Sequence, residues 1–118
     1  MILEAHPEVK TLMVSSSYIS YYLAIIVVAT QITIAYLVRV IIFVTQDAHW
    51  LIWFATLYIV GGTLSHTCHV LIHDFTHYVG PASMFVNKIF ATFTNFSIAF
   101  PTAHSFGKYH ADHHNFLN

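Results

Sequence analysis

Charge is scarce in this sequence. Four Lys or Arg and five Asp or Glu in 118 residues make it 8% charged, whereas about a quarter of an ordinary soluble domain is charged. That excludes a standard soluble globular domain. The basic residues Lys10, Arg39, Lys88 and Lys108 lie far apart and the formal net charge is -1, so there is no electrostatic footprint for nucleic acid. The single cysteine, Cys68, has no partner for an intrachain disulfide and no Cys-x-x-Cys pattern around it. It reads as a small packing residue. Met1 to Lys10 is polar and no apolar core follows until about Ile19, so a secretory signal is not expected, and Met1-Ile2 lacks the glycine that myristoylation needs.

What is abundant is apolar surface, at 57% of residues. The fold class this implies is all-α: a membrane protein with two transmembrane helices in a hairpin, an interfacial helix, and surface helices that carry histidines. The whole of 1–118 is read as a single partial membrane domain, since no repeat or linker divides it. Residues 1–17 form a polar head, with Pro7 and Ser15-Ser16-Ser17 as a helix start. A first span is expected over 18–44, its length at ~1.5 Å per residue matching a ~30 Å hydrocarbon core. Tyr18, Tyr21 and Tyr22 sit at its leading edge, where amphipathic rings favour the headgroup level.

A polar turn, Thr45-Gln46-Asp47-Ala48-His49, leads to a second span over 50–72 with Trp50 and Trp53 as interfacial anchors. Gly61-Gly62 inside it is read as a place of close helix approach. Tyr78-Val79-Gly80-Pro81 stops the helix, because Gly favours the C-cap and Pro cannot continue it. Residues 84–100 are apolar and aromatic, but Asn87, Lys88 and Asn95 make them a poor span. An interfacial or re-entrant helix is expected there, with Phe85, Ile89, Phe93 and Phe96 as one apolar stripe facing the membrane.

The anomaly is histidine, ten in all. On a helix His66, His69, His73 and His77 fall within roughly 80° of one another. His110, His113 and His114 share a face by their i, i+3, i+4 spacing. Two rows of imidazoles suggest a metal site, for which neutral imidazole suits iron, copper, zinc or nickel. Both rows must then lie on one side of the membrane, which an interfacial segment between them allows and a spanning one does not. Lys10, Lys88 and Lys108 would be inside and Arg39 outside, in line with the positive-inside rule. His73, His77, His110, His113 and His114 are the candidate ligands. Asp74 and Asp112 lie within the two boxes and can accept a ring N–H, fixing a tautomer. His66 and His69 are open between a metal-linked role and packing. His6, His49 and His104 read as hydrogen-bonded packing residues.

The boxes His73-Asp-Phe-Thr-His77 and Lys108-Tyr-His110-Ala-Asp-His113-His114 resemble the first two histidine boxes of membrane fatty-acyl desaturases. The head His6-Pro7-Glu8-Val9-Lys10-Thr11-Leu12-Met13, Ser65-His66-Thr67 and Ser105-Phe106-Gly107-Lys108-Tyr109 resemble the sphingolipid (dihydroceramide) Δ4-desaturases. The resemblance implies an endoplasmic-reticulum membrane enzyme with its boxes on the cytosolic face. It implies a di-iron centre held by the five box histidines, O₂, cytochrome b5 as electron donor, and a double bond introduced into the sphingoid base of dihydroceramide. Asp74 stands where that family has Glu. The family also carries a third His-x-x-His-His box, which this sequence does not contain. The chain is therefore expected to be an N-terminal part, catalytically incomplete alone. The alternatives are another membrane desaturase or hydroxylase, or a non-enzymatic two-helix protein that binds a metal or haem.

Overall fold

A computed structural model describes residues 17–46, 49–78, 80–98 and 100–116. The polar head, including His6 and the head motif, lies outside the described residues except for Ser17, as do Asp47 and Ala48 of the turn.

Helix α1 runs Ile19–Thr45 without a glycine or proline. In hydrocarbon every backbone group must be paired within the segment, and an unbroken helix does this. Ser17 begins it, its Oγ accepting from the Ile19 N–H at 3.2 Å. Gln46 ends it in the left-handed region at φ 52°, its backbone N–H donating to the Ile42 carbonyl and its side-chain amide to the Phe43 carbonyl.

Helix α2, Trp50–Thr76, carries one turn of π-helix over Leu57–Gly61. It continues a full turn beyond the expected end at residue 72, so His73 rides on the same rod as the apolar span. Both α1 and α2 are long and apolar enough to cross a membrane. The stop after α2 also differs in detail: the residue in the left-handed conformation is Tyr78 (φ 55°), not a glycine. Gly80 serves another purpose, since a Cβ there would collide with the Tyr21 ring and hydroxyl.

The two long helices run in opposite directions where they touch, Tyr21 meeting Phe75 and Gln31 meeting Ser65. Their buried contacts lie in the N-terminal half of α1 and the C-terminal half of α2. Tyr21, Ala24, Leu71, Phe75 and Ala91 form one buried cluster, and Val27, Val28 and Cys68 a second, covered by Leu64, Phe93 and Ile98. Tyr21 is thus a core residue, 6% exposed, while Tyr18 and Tyr22 face outward as expected. Its ring packs against Phe75 and Phe90 at 5.3 and 4.8 Å. The glycine pair is a correction: a Cβ on Gly61 or Gly62 would meet nothing within 4 Å. Gly61 closes the π turn instead, in the half of α2 where the helices no longer pack.

Helix α3, Met84–Asn95, is 12 residues long. At about 18 Å it is too short for a ~30 Å core. It lies against α2 and α1 through Asn87, Ala91 and Thr94, all buried, while Phe85, Ile89 and Phe96 of the apolar stripe are exposed and only Phe93 turns inward. Polar residues can occupy the buried face because each is paired. Asn87 accepts from the Tyr21 hydroxyl at 2.9 Å and donates to the Ala82 and Ser83 carbonyls at 3.1 Å; Thr94 donates to Phe90. Gln31 likewise donates to Ser65 Oγ and to the Ser97 carbonyl, joining all three segments.

Helix α4, Ala103–Phe116, begins where Asn95 reaches across. The Asn95 side-chain oxygen accepts from the backbone N–H groups of Thr102 and Ala103, both at 2.9 Å. This satisfies donors that a helix start leaves open.

Candidate metal centre

The last turn of α2 presents His73, with His77 at its C-cap, while the middle of α4 presents His110 and its last turn His114. Because α3 holds α4 against the end of α2, the two histidine segments meet. His73 Nε2 lies 3.2 Å from His77 Nε2, His77 Nε2 lies 2.8 Å from His110 Nε2, and His110 Nε2 lies 3.1 Å from His114 Nε2. The ligand atoms of His73, His77 and His110 are all within 4.8 Å of one another. Phe106, one turn before His110, stacks on its ring at 4.9 Å and 15°. Sequence reasoning does not single out Phe106 for that role, although its i, i+4 spacing to His110 is the signal that could have found it.

His113 lies beside this row, its ring 5.5 Å from that of His114, with no hydrogen bond to the others among the described residues. Asp74 Oδ1 is 3.8 Å from His73 Nδ1, too far for a hydrogen bond. Asp112 makes no contact of that kind among the described residues. His66 and His69 are exposed on α2 and make no hydrogen bond to the row among the described residues, with His69 Nδ1 2.9 Å from the Ser65 carbonyl. His49 precedes α2 and its carbonyl accepts from Ile52 and Trp53. His104 lines a cleft beside α4.

The pKa of His77 is lowered from its ordinary value, first by loss of hydration among the packed rings and then by the neighbouring His73 and His114. His110 is lowered for the same reasons, with four imidazoles around it. Both therefore favour the neutral ring, the form that offers a lone pair.

The sequence comparisons bear on what such a row is for. Over 98% of its length the chain is 35% identical to sphingolipid delta(4)-desaturase DES1 of Gallus gallus. It is 34% identical to sphingolipid delta(4)-desaturase/C4-monooxygenase DES2 of Mus musculus, also over 98%, and to the sphingolipid delta(4)-desaturase of Komagataella phaffii over 99%. The chain is a homologue of sphingolipid delta(4)-desaturases. It spans about a third of the length of these desaturases, 34%, 34% and 31% respectively. No family model matches the sequence, and no solved structure matches the chain.

A metal cofactor is what desaturase homology suggests, and the donors fit one. An imidazole nitrogen has either a proton or an in-plane lone pair, not both. His77 Nε2 and His110 Nε2 each meet two other Nε2 atoms, so hydrogen bonding alone would have to share one proton or one lone pair between two neighbours. A cation satisfies the lone pairs of His73, His77 and His110 together. With metal–nitrogen bonds of ~2.0–2.1 Å, two ligands at right angles stand about 2.9 Å apart, and the observed separations are 2.8 to 3.2 Å.

Proposed function

We propose that this chain supplies part of a sphingolipid Δ4-desaturase-like oxidoreductase that introduces a double bond into the sphingoid base of dihydroceramide. The observation that carries the reading is the convergence of imidazoles from two boxes on one point, in a chain whose homologues are named for that activity. His73, His77, His110, His113 and His114 are the proposed iron ligands, with the row on the cytosolic face of the endoplasmic-reticulum membrane. When bound, a di-iron centre supplies the oxidising power needed to take hydrogen from an unactivated CH₂. Two hydrogens leave adjacent sphingoid carbons, cytochrome b5 contributes two further electrons and solvent two protons, and O₂ leaves as two waters.

The chain's own residues hold this arrangement. The lowered His77 and His110 stay neutral near pH 7, Phe106 fixes the His110 ring plane, and Asn95 anchors the start of α4. Five imidazoles are few for two iron ions, so residues 1–118 alone are proposed to be inactive and to need a third box.

A second reading, hydroxylation at carbon 4, is favoured by the names of two homologues, DES2 of Mus musculus and the putative sphingolipid delta(4)-desaturase/C4-monooxygenase of Caenorhabditis elegans. The test is a chimera in which this chain replaces the matching third of Gallus gallus DES1, expressed in cells that lack the activity and supplied with dihydroceramide. Mass spectrometry then distinguishes the 4,5-unsaturated product from the 4-hydroxylated one. A chimera that accumulates, binds iron and yields neither product would refute both readings, and activity retained with His77→Ala would refute the ligand assignment.

A further inference from the structure

Lys88 of α3 and Lys108 of α4 converge on one cleft of about 430 Å³, bounded by the end of α2. The cleft exists because α4 turns its small residues Ala103, Gly107 and Ala111 toward it, at i, i+4 and i+8 on one helical face. A side chain at Gly107 would fill the gap to Thr76, since a Cβ there would stand in van der Waals contact with it at 3.8 Å. Space is therefore kept open between α4 and the membrane-emergent end of α2.

The lining fixes what can fill that space. Both lysines are exposed at its edge and neither has a carboxylate within ion-pair distance among the described residues, where the acidic side chains are Asp74 and Asp112. Two of the three hydroxyls that line the cleft are committed elsewhere, Thr76 donating to the Ile72 carbonyl and Thr92 to the Lys88 carbonyl, both at 2.9 Å; the third belongs to Tyr78. The donors left to a ligand are thus two ammonium groups, supplemented by His104 and the Tyr78 hydroxyl. Two cations without a carboxylate partner among the described residues serve an anion better than a neutral headgroup. Below the cations the floor is apolar, with Phe75 and Ala91, so the matching ligand is amphiphilic.

We propose that this cleft seats an anionic phospholipid, its phosphate between Lys88 and Lys108 and its glycerol and first methylenes over the apolar floor. The site flanks the histidine row through Thr76 and Ala111, yet shares none of its imidazoles, and its occupancy does not depend on the reaction proposed above. A lipid seated there ties α3, α4 and the end of α2 to the leaflet surface.

The 118-residue chain, purified in a non-ionic detergent and freed of lipid, is titrated with dioctanoyl phosphatidate, dioctanoylglycerol and inorganic phosphate, and retained ligand is counted by native mass spectrometry. Phosphatidate should bind, dioctanoylglycerol should not, and affinity should fall as salt rises. Lys88→Gln and Lys108→Gln should each weaken phosphatidate about fivefold or more, and the double variant should lose it. The charge-preserving Lys88→Arg/Lys108→Arg pair should retain it, and Arg39→Gln, at the far end of α1, should leave it unchanged. Equal weakening by Arg39→Gln would mean diffuse attraction and overturn the site. So would unaltered binding to the double glutamine variant or equal binding of the neutral lipid. Inorganic phosphate bound as tightly as phosphatidate would overturn the lipid assignment in favour of a free anion.

Discussion

Removing Asn87 should loosen the contact that places one histidine row against the other. Its side chain is fully buried and makes three hydrogen bonds: the Tyr21 hydroxyl donates to its oxygen at 2.9 Å, and its amide donates to the Ala82 and Ser83 carbonyls at 3.1 Å. In Asn87→Ala the three bonds do not cost equally. Ser83 still accepts from the residue 87 backbone N–H, and the half-buried Ala82 can reach solvent. Tyr21, at 6% exposure, is left with a buried hydroxyl and no partner, a loss of about 1–3 kcal/mol. With the small cavity added, Asn87→Ala should destabilise by about 2–3 kcal/mol. Tyr21→Phe strands the Asn87 oxygen instead and should cost about 1–2 kcal/mol. Once either partner is gone the bond between Tyr21 and Asn87 cannot be lost a second time, so the double variant should fall short of the sum by about 1 kcal/mol or more. The assay is reversible unfolding in mixed non-ionic and anionic micelles, followed by far-ultraviolet circular dichroism. Additive costs, or an Asn87→Ala effect below about 0.5 kcal/mol, would refute the reasoning that this bond fastens α3 to α1.

Gly80→Ala should cost about 1–3 kcal/mol in the same assay by overpacking against Tyr21, and should cost much less in a Tyr21→Ala background. Asn95→Ala removes the acceptor at the start of α4 and should lose about 1–2 kcal/mol, with faster amide exchange over residues 102–106 as the local sign. His77→Ala and His110→Ala, at the centre of the row, should weaken Co(II) or Fe(II) binding by about tenfold or more, while His69→Ala should leave it unchanged. The lowered pKa of His77 and His110 means that below the ordinary value near 6.5 the unfolded chain takes up protons the folded chain resists. Apo stability should therefore be full above that value and fall as pH drops through it toward the depressed folded values. Metal uptake should decline over the same range, because protons compete for the same lone pairs; the two titrations are read by circular dichroism and by cobalt absorbance.

The spans and histidine rows were legible because each rests on a one-dimensional signal: uninterrupted apolar length in one case, and i, i+3, i+4 spacing in the other. Tyr21 was not legible as core, since an interfacial tyrosine and a tyrosine buried against Phe75 and Phe90 look alike until the partner helix is in place. Gly61-Gly62 misled for the same reason: small residues permit close packing but do not bring a neighbour to the spot. Asn87 and Asn95 were read by their cost to a membrane span. That was sound as far as it went, but their use lay in partners 66 and 7 or 8 residues away, which no local pattern announces.

Those same asparagines connect the membrane to the site. If residues 84–95 crossed the bilayer, His77 and His110 would stand on opposite faces, some ~30 Å apart, and no row could form. Twelve residues of helix span about 18 Å, and a helix that short must lie against protein or along the surface to keep its ends paired. Asn87 fastens one end to α1 and Asn95 turns the other into the start of α4, so the chain doubles back to the end of α2 from which it left. The 2.8 Å separation of His77 and His110 is thus set by two amide side chains that lie outside both histidine boxes.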